Sequence, residues 1–150
     1  MDADQFRIFR DITLNYFGKM APREEPPTME DAFMLFGEPV LLDYASVVSI
    51  SGPYSGSLYL TSNAHTLGRL LALYGETRRD PDALSDMCRE LSNVLSGNAS
   101  HAFGTGWKIS VPTSIEPGQR PDLPMTSYVW PFAWLGDRSF LVVGLQEASP

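Results

Sequence analysis

The spacing of apolar side chains changes period several times along the chain, and each change marks an element. From residue 4 to 20, Phe6, Ile8, Phe9, Ile12, Leu14, Tyr16 and Phe17 supply the apolar bulk of an amphipathic helix. Asp2 or Asp4 is placed to cap its start, and Gly18 lies near its end. Next comes Ala21-Pro22-Arg23-Glu24-Glu25-Pro26-Pro27, whose three prolines in six residues forbid a helix. From Glu38 to about Thr61 the pattern becomes strand-like through Val40, Leu41, Leu42, Tyr44, Val47, Val48 and Ile50. Ser51-Gly52-Pro53-Tyr54-Ser55-Gly56 is turn chemistry, and Ser57-Leu58-Tyr59-Leu60-Thr61 alternates after it, which predicts a hairpin.

Ser62 or Asn63 then caps a helix through Leu67, Leu70, Leu71 and Leu73 to about Gly75. A polar loop at 76–81 leads into a long helix from about Asp82 to Phe103. Pro112 and Pro117 punctuate the chain after that helix, and strands are expected at 106–111, 127–134 and 139–146. Pro131 confines the middle one to an edge or a bulge. Tyr128, Trp130, Phe132 and Trp134 repeat with period two, which describes one sheet face packed on helices or a dimer surface. Helix, two strands, two helices and three strands read as α+β, with a largely antiparallel sheet against long helices and an added N-terminal helix.

The chain has 150 residues, which fits a single domain of 1–150. Its first 37 residues are the N-terminal helix and the Pro-rich connection, and 38–146 form the core. Eighteen acids against eleven bases give a net charge of −7. That balance argues against nucleic acid and against anionic membrane surfaces as partners. The excess is concentrated in residues 1–50, which hold nine acids and four bases. Cys88 stands alone, so neither an intramolecular disulfide nor a thiolate metal centre is expected, and it reads as a core or boundary residue. His65 and His101 have no second-ligand spacing, so no metal site is assigned to them. The start lacks the basic and apolar regions of a secretory signal, and no apolar run is long enough to span a membrane. Cytoplasmic residence is the expectation.

The helix at 82–103 carries the chemical information. Leu84, Met87, Leu91, Val94, Leu95 and Ala102 gather on one side as the expected buried stripe. Asp86, Glu90 and Asn93 fall at i, i+4 and i+7 on the opposite face. Gly97 extends that row by a turn, and His101 lies near it. Charged and amide residues opposite an apolar stripe also describe an ordinary surface helix. Gly97 is the less ordinary member, since glycine inside a helix costs about 1 kcal/mol against alanine. It suits either the close approach of another backbone or a fraying helix end beside Asn98.

Asp86-x3-Glu90-x2-Asn93, then Gly97, then Pro112 within Ile109-Ser110-Val111-Pro112-Thr113, resembles the signature of the CheC/CheX chemotaxis phosphatases. Tyr44 to Gly52 and Gly56 to Leu60 are similar to that family's hairpin, and the likeness runs from about 38 to 146. The spacing from Asn93 to Pro112 is shorter than the family pattern. The N-terminal helix offers Asp11 and Asn15 before Gly18, but Ile12 stands where a second motif would place Glu. One site is therefore expected, as in CheX.

The resemblance implies hydrolysis of the aspartyl phosphate of a phosphorylated CheY-type response regulator, in chemotaxis or a related two-component pathway. It implies Asn93 as the residue that orients the attacking water and Glu90 as the partner of the regulator's active-site lysine. Asp86 and Gly97 would belong to the partner-binding surface. No cofactor is expected on this chain, with magnesium supplied by the regulator. A homodimer through sheet edges or aromatic strand faces is also implied. The alternative is a non-catalytic adaptor that binds a receiver domain or another signalling protein with the same helix face.

Overall fold

The computed structural model describes residues 3–20, 26–35, 38–121, 123, 127–134 and 136–147. Asp2 and residues 21–25 of the expected breaker lie outside the described residues. The described residues form three helices: α1 (Ala3–Met20), α2 (Ala64–Leu73) and α3 (Pro81–Phe103). The strands are β1 (Thr28–Met29), β2 (Phe33–Met34), β3 (Tyr44–Ser51), β4 (Tyr54–Ser62), β5 (Lys108–Ile109), β6 (Thr113–Ser114), β7 (Tyr128–Trp134) and β8 (Asp137–Glu147).

They form one antiparallel sheet in the order β1-β7-β8-β4-β3-β5, with β2 also on β7 and β6 also on β3. The α+β class and its antiparallel sheet are as expected. The β3–β4 hairpin turns at Gly52, whose φ of +134° a side chain would rarely adopt. Asn63 caps α2 by accepting a hydrogen bond from the Thr66 amide at 2.9 Å. α3 starts at Pro81, whose fixed φ suits a first helical turn.

Several boundaries differ from the sequence reading. The first long strand begins at Tyr44, because residues 38–43 are drawn away to cover the sheet rather than to extend it. The expected strand at 106–111 shrinks to Lys108–Ile109, and a separate β6 follows Pro112. Neither β1 nor β2 has a pattern of its own, since each is two residues held by the backbone of β7. Pro131 lies within β7 opposite Phe140, and its carbonyl accepts from the Glu30 amide at 2.9 Å. In an antiparallel strand a residue's N–H and C=O point to the same side, so the missing donor of Pro131 faces the gap between β1 and β2.

Both faces of the sheet are buried. On one face α1, α2 and α3 pack on Val48, Leu58, Leu60, Trp130, Phe132, Trp134 and Leu141. Phe6 stacks on Trp130, and Phe17 lies 4.9 Å from Phe132. The period-two aromatics are therefore the seat of α1. That occupies the aromatic strand face and removes it as a dimer surface. On the other face Tyr59, Val129, Phe140 and Val142 are covered by Leu35, Val40, Leu42, Ile115 and Leu123, which lie in connecting segments rather than in a helix. Burial on both sides is why β8 reads as a nearly continuous apolar run.

Candidate functional site

α3 presents its sequence-predicted row at the surface. Asp86, Glu90 and Asn93 are not buried, while Leu84, Met87, Leu91 and Leu95 are buried as expected. The buried face is rotated from the expected one. Ser92, Ser96 and Ala99 are inside, Val94 is only half-buried and Ala102 is exposed. Small side chains explain the rotation, because they let α3 lie close against β3.

That contact is a polar seam inside an apolar layer. Ser46 of β3 donates to the Cys88 carbonyl at 2.9 Å, and its hydroxyl also meets that of Ser92. Ser96 donates to the Ser92 carbonyl at 2.6 Å. Cys88 is buried beside this seam, and desolvation pushes its thiol pKa up to about 11, opposed by a hydrogen bond involving Ser46. A thiol so held is a packing residue and a poor nucleophile.

The opposite wall comes from the β5–β6 connection. β5 pairs with Ile50 and Ser51, while β6 pairs with Ser46 and Val47. Between them Ser110 keeps hold of the edge: its amide donates to the Ser49 carbonyl at 2.9 Å, and its hydroxyl accepts from the Ser49 amide at 2.8 Å. Val111 and Pro112 are left standing beside α3, with Val111 82% exposed. The result is a shallow groove of about 530 Å³ with Glu90 and Asn93 on one side and Ser110 to Pro112 on the other.

Two features escaped the sequence reading, one in the groove and one outside it. Arg89 lines it and donates to Asp86, to Ser114 at 2.5 Å and to Ser85 at 3.2 Å. The Asp86–Arg89 spacing of i, i+3 is a readable helical ion pair, whereas Ser114 gives no local signal. Outside the groove, the Tyr16 hydroxyl of α1 meets the Tyr74 hydroxyl at 2.6 Å. Burial raises the Tyr16 pKa, the Tyr74 hydrogen bond adds to it, and the Glu90 carboxylate contributes.

Gly97 continues the row, and a Cβ built on it would meet nothing within 4 Å among the described residues. Packing among the described residues does not require glycine there. His101 is exposed at the end of the same helix, and His65 lies on α2, paired through Nδ1 with Asp137 at 2.5 Å. Among the described residues, no group of three or more His, Cys, Asp or Glu is placed to hold a metal ion. None of the described helices is long and apolar enough to cross a membrane.

This arrangement can offer a neutral amide and a carboxylate, one helical turn apart, to a surface that enters the groove. Among the described residues that line it, none is an activated nucleophile. The family model described as chemotaxis phosphatase CheX matches residues 44–132, which include the hairpin, the whole of α3 and Pro112. No curated protein matches the chain.

Solved structures share its fold. A chemotactic CheC-like protein of Shewanella oneidensis superposes with a TM-score of 0.82 at 20% identity, covering 97% of this chain and 100% of that one. A CheX from Desulfovibrio desulfuricans gives 0.79 at 20% identity, covering 95% and 99%. A Borrelia burgdorferi CheX, solved as a complex with CheY, BeF3 and Mg2+, gives 0.74 at 20% identity, covering 97% and 100%.

Proposed function

The chain belongs to the chemotaxis phosphatase CheX family, and on that footing we propose how its groove removes the phosphoryl group from a CheY-type response regulator. The observation that carries the assignment of residues is the Glu90–Asn93 pair facing the Ser110–Pro112 wall. Hydrolysis of an aspartyl phosphate is in-line attack by water, so the catalyst's task is positioning and charge management. Asn93 orients the water, because an amide both donates and accepts and adds no negative charge beside the phosphoryl oxygens. Glu90 pairs with the regulator's lysine and fixes the docking register. Asp86 and Gly97 extend the docking face. Magnesium belongs to the regulator's own phosphorylation site. A partner of this kind supports residence in the cytoplasm.

A homodimer formed through a sheet edge accompanies this reading, since the aromatic face is already filled by α1. Sedimentation checks it: a strict monomer at micromolar concentration removes the dimer without touching the site.

The decisive experiment is phosphate release from a panel of phosphorylated receivers with magnesium, using the wild type, Asn93→Ala and Glu90→Ala. Faster release from one receiver, lost in both variants, is expected. Binding without acceleration leaves an adaptor, and neither binding nor acceleration removes the reading altogether.

A further inference from the structure

Arg89 ties α3 to the strand beyond the groove wall. Its Nη1 donates to Ser114 at 2.5 Å, and the Ser85 and Ser114 hydroxyls are themselves 2.8 Å apart. Ser114 lies two residues past Pro112 and is paired with Ser46 on β3. The other terminal nitrogen of the guanidinium, Nη2, is held on Asp86. The same cation therefore fixes the base of the Val111–Pro112 wall and neutralises one of the two carboxylates that line the groove.

Resting on the phosphatase reading above, we propose that Arg89 is a positioning residue for the phosphorylated receiver. Of the two acids lining the groove, it compensates Asp86 and leaves Glu90 to face the incoming partner, and it holds the wall against which that receiver seats. A phosphoryl site carries dense negative charge. Two unpaired carboxylates a turn apart on α3 would repel it, whereas one of them, matched to a lysine, guides it. The Asp86 and Arg89 side chains are 63% and 36% exposed, so water and salt weaken their pairing. The consequence is a modest and salt-dependent effect on docking, with the chemical step left to Asn93.

The test is steady-state kinetics on the receiver that responds to the wild type, with Arg89→Ala, Ser114→Ala and the double variant Arg89→Ala/Asp86→Asn. Arg89→Ala should raise KM about ten-fold and lower kcat by less than about three-fold. The ratio of KM values should shrink as ionic strength rises from about 20 mM to about 0.5 M. The double variant, which removes the uncompensated charge together with one docking side chain, should have a KM below that of Arg89→Ala. Ser114→Ala, which keeps every charge, should raise KM by about two- to three-fold at all salt concentrations. A wild-type KM in Arg89→Ala overturns the inference alone. So does a rise that neither salt nor Asp86→Asn changes, since that describes simple loss of structure. A wild type that accelerates no receiver overturns the phosphatase reading and this inference with it.

Discussion

Ser92 of α3 and Ser46 of β3 meet hydroxyl to hydroxyl at a point where neither has any exposed surface. The Ser46 hydroxyl donates to the Cys88 carbonyl at 2.9 Å, and the Ser92 hydroxyl donates to the Ser46 carbonyl at 3.3 Å. Asn93 is the next residue on α3. The depth and rotation of the helix, and so the direction in which Asn93 points, are set by this pair of small side chains.

Substitutions at Ser92 should separate hydrogen bonding from spacing. Ser92→Ala keeps the spacing and removes one donor, a cost of about 1 kcal/mol. Ser92→Leu forces a larger side chain into the seam, a cost of about 1–3 kcal/mol, and pushes α3 off β3. Urea denaturation measures both, and single-turnover dephosphorylation should be slower in Ser92→Leu than in Ser92→Ala. Equal turnover in the two would mean that the seam does not aim Asn93.

α1 should behave as part of the core. Phe17 has no exposed surface, and its ring lies 4.9 Å from Phe132 and 5.7 Å from Trp134. Phe17→Ala is expected to destabilise the protein by about 3–5 kcal/mol. A chain beginning at residue 38 would uncover Trp130, Phe132 and Trp134 and should aggregate on size exclusion. A soluble, cooperatively folding 38–150 fragment would show that α1 is dispensable.

The parts of this protein that were legible in the sequence are those whose signal is periodic or local. Helical spacing located α1, α2 and α3, alternation located the β3–β4 hairpin, and the i, i+4, i+7 row placed Asp86, Glu90 and Asn93 together at the surface. The buried stripe of α3 was legible at Leu84, Met87, Leu91 and Leu95 but not in its rotation, because periodicity counts apolar residues. Ser92 and Ser96 are buried through partners that are distant in sequence or on the backbone. Arg89 was missed for a related reason. Its link to Ser114 exists only once β6 is laid on β3. The two-residue strands β1, β2, β5 and β6 carry no pattern, because they borrow their order from the long strands they border.

Alkaline pH should destabilise the fold through Cys88. Burial raises its thiol from the ordinary 9.0 to about 11. Below pH 9 the thiol is neutral in both the folded and unfolded chains, and its contribution to stability is fully present. As pH rises from 9 towards 11 the unfolded thiol loses its proton while the buried one keeps it, so the unfolded state gains. The loss should reach about 2–3 kcal/mol by linkage. Denaturation at a series of pH values checks this, and Cys88→Ala should flatten the Cys88 part of the profile. An identical alkaline slope in that variant would place the effect elsewhere. Tyr59 is one candidate, since burial pushes its hydroxyl up to about 12.

Gly97 separates stability from function most cleanly. A methyl group there would meet nothing within 4 Å among the described residues, and the residue is inside α3. Gly97→Ala should therefore stabilise the fold by about 0.5–1 kcal/mol, through the reduced backbone freedom of the unfolded chain and better helix propensity. If a receiver's backbone lies against this face, the same methyl group obstructs it, and KM should rise about five-fold while kcat changes little. Thermal denaturation and steady-state kinetics on one preparation read both effects. A more stable variant with a higher KM would mean that glycine is kept there for the partner at the helix's expense. A more stable variant with an unchanged KM would take Gly97 out of the docking face, leaving that face to Asp86, Glu90, Asn93 and the Ser110–Pro112 wall.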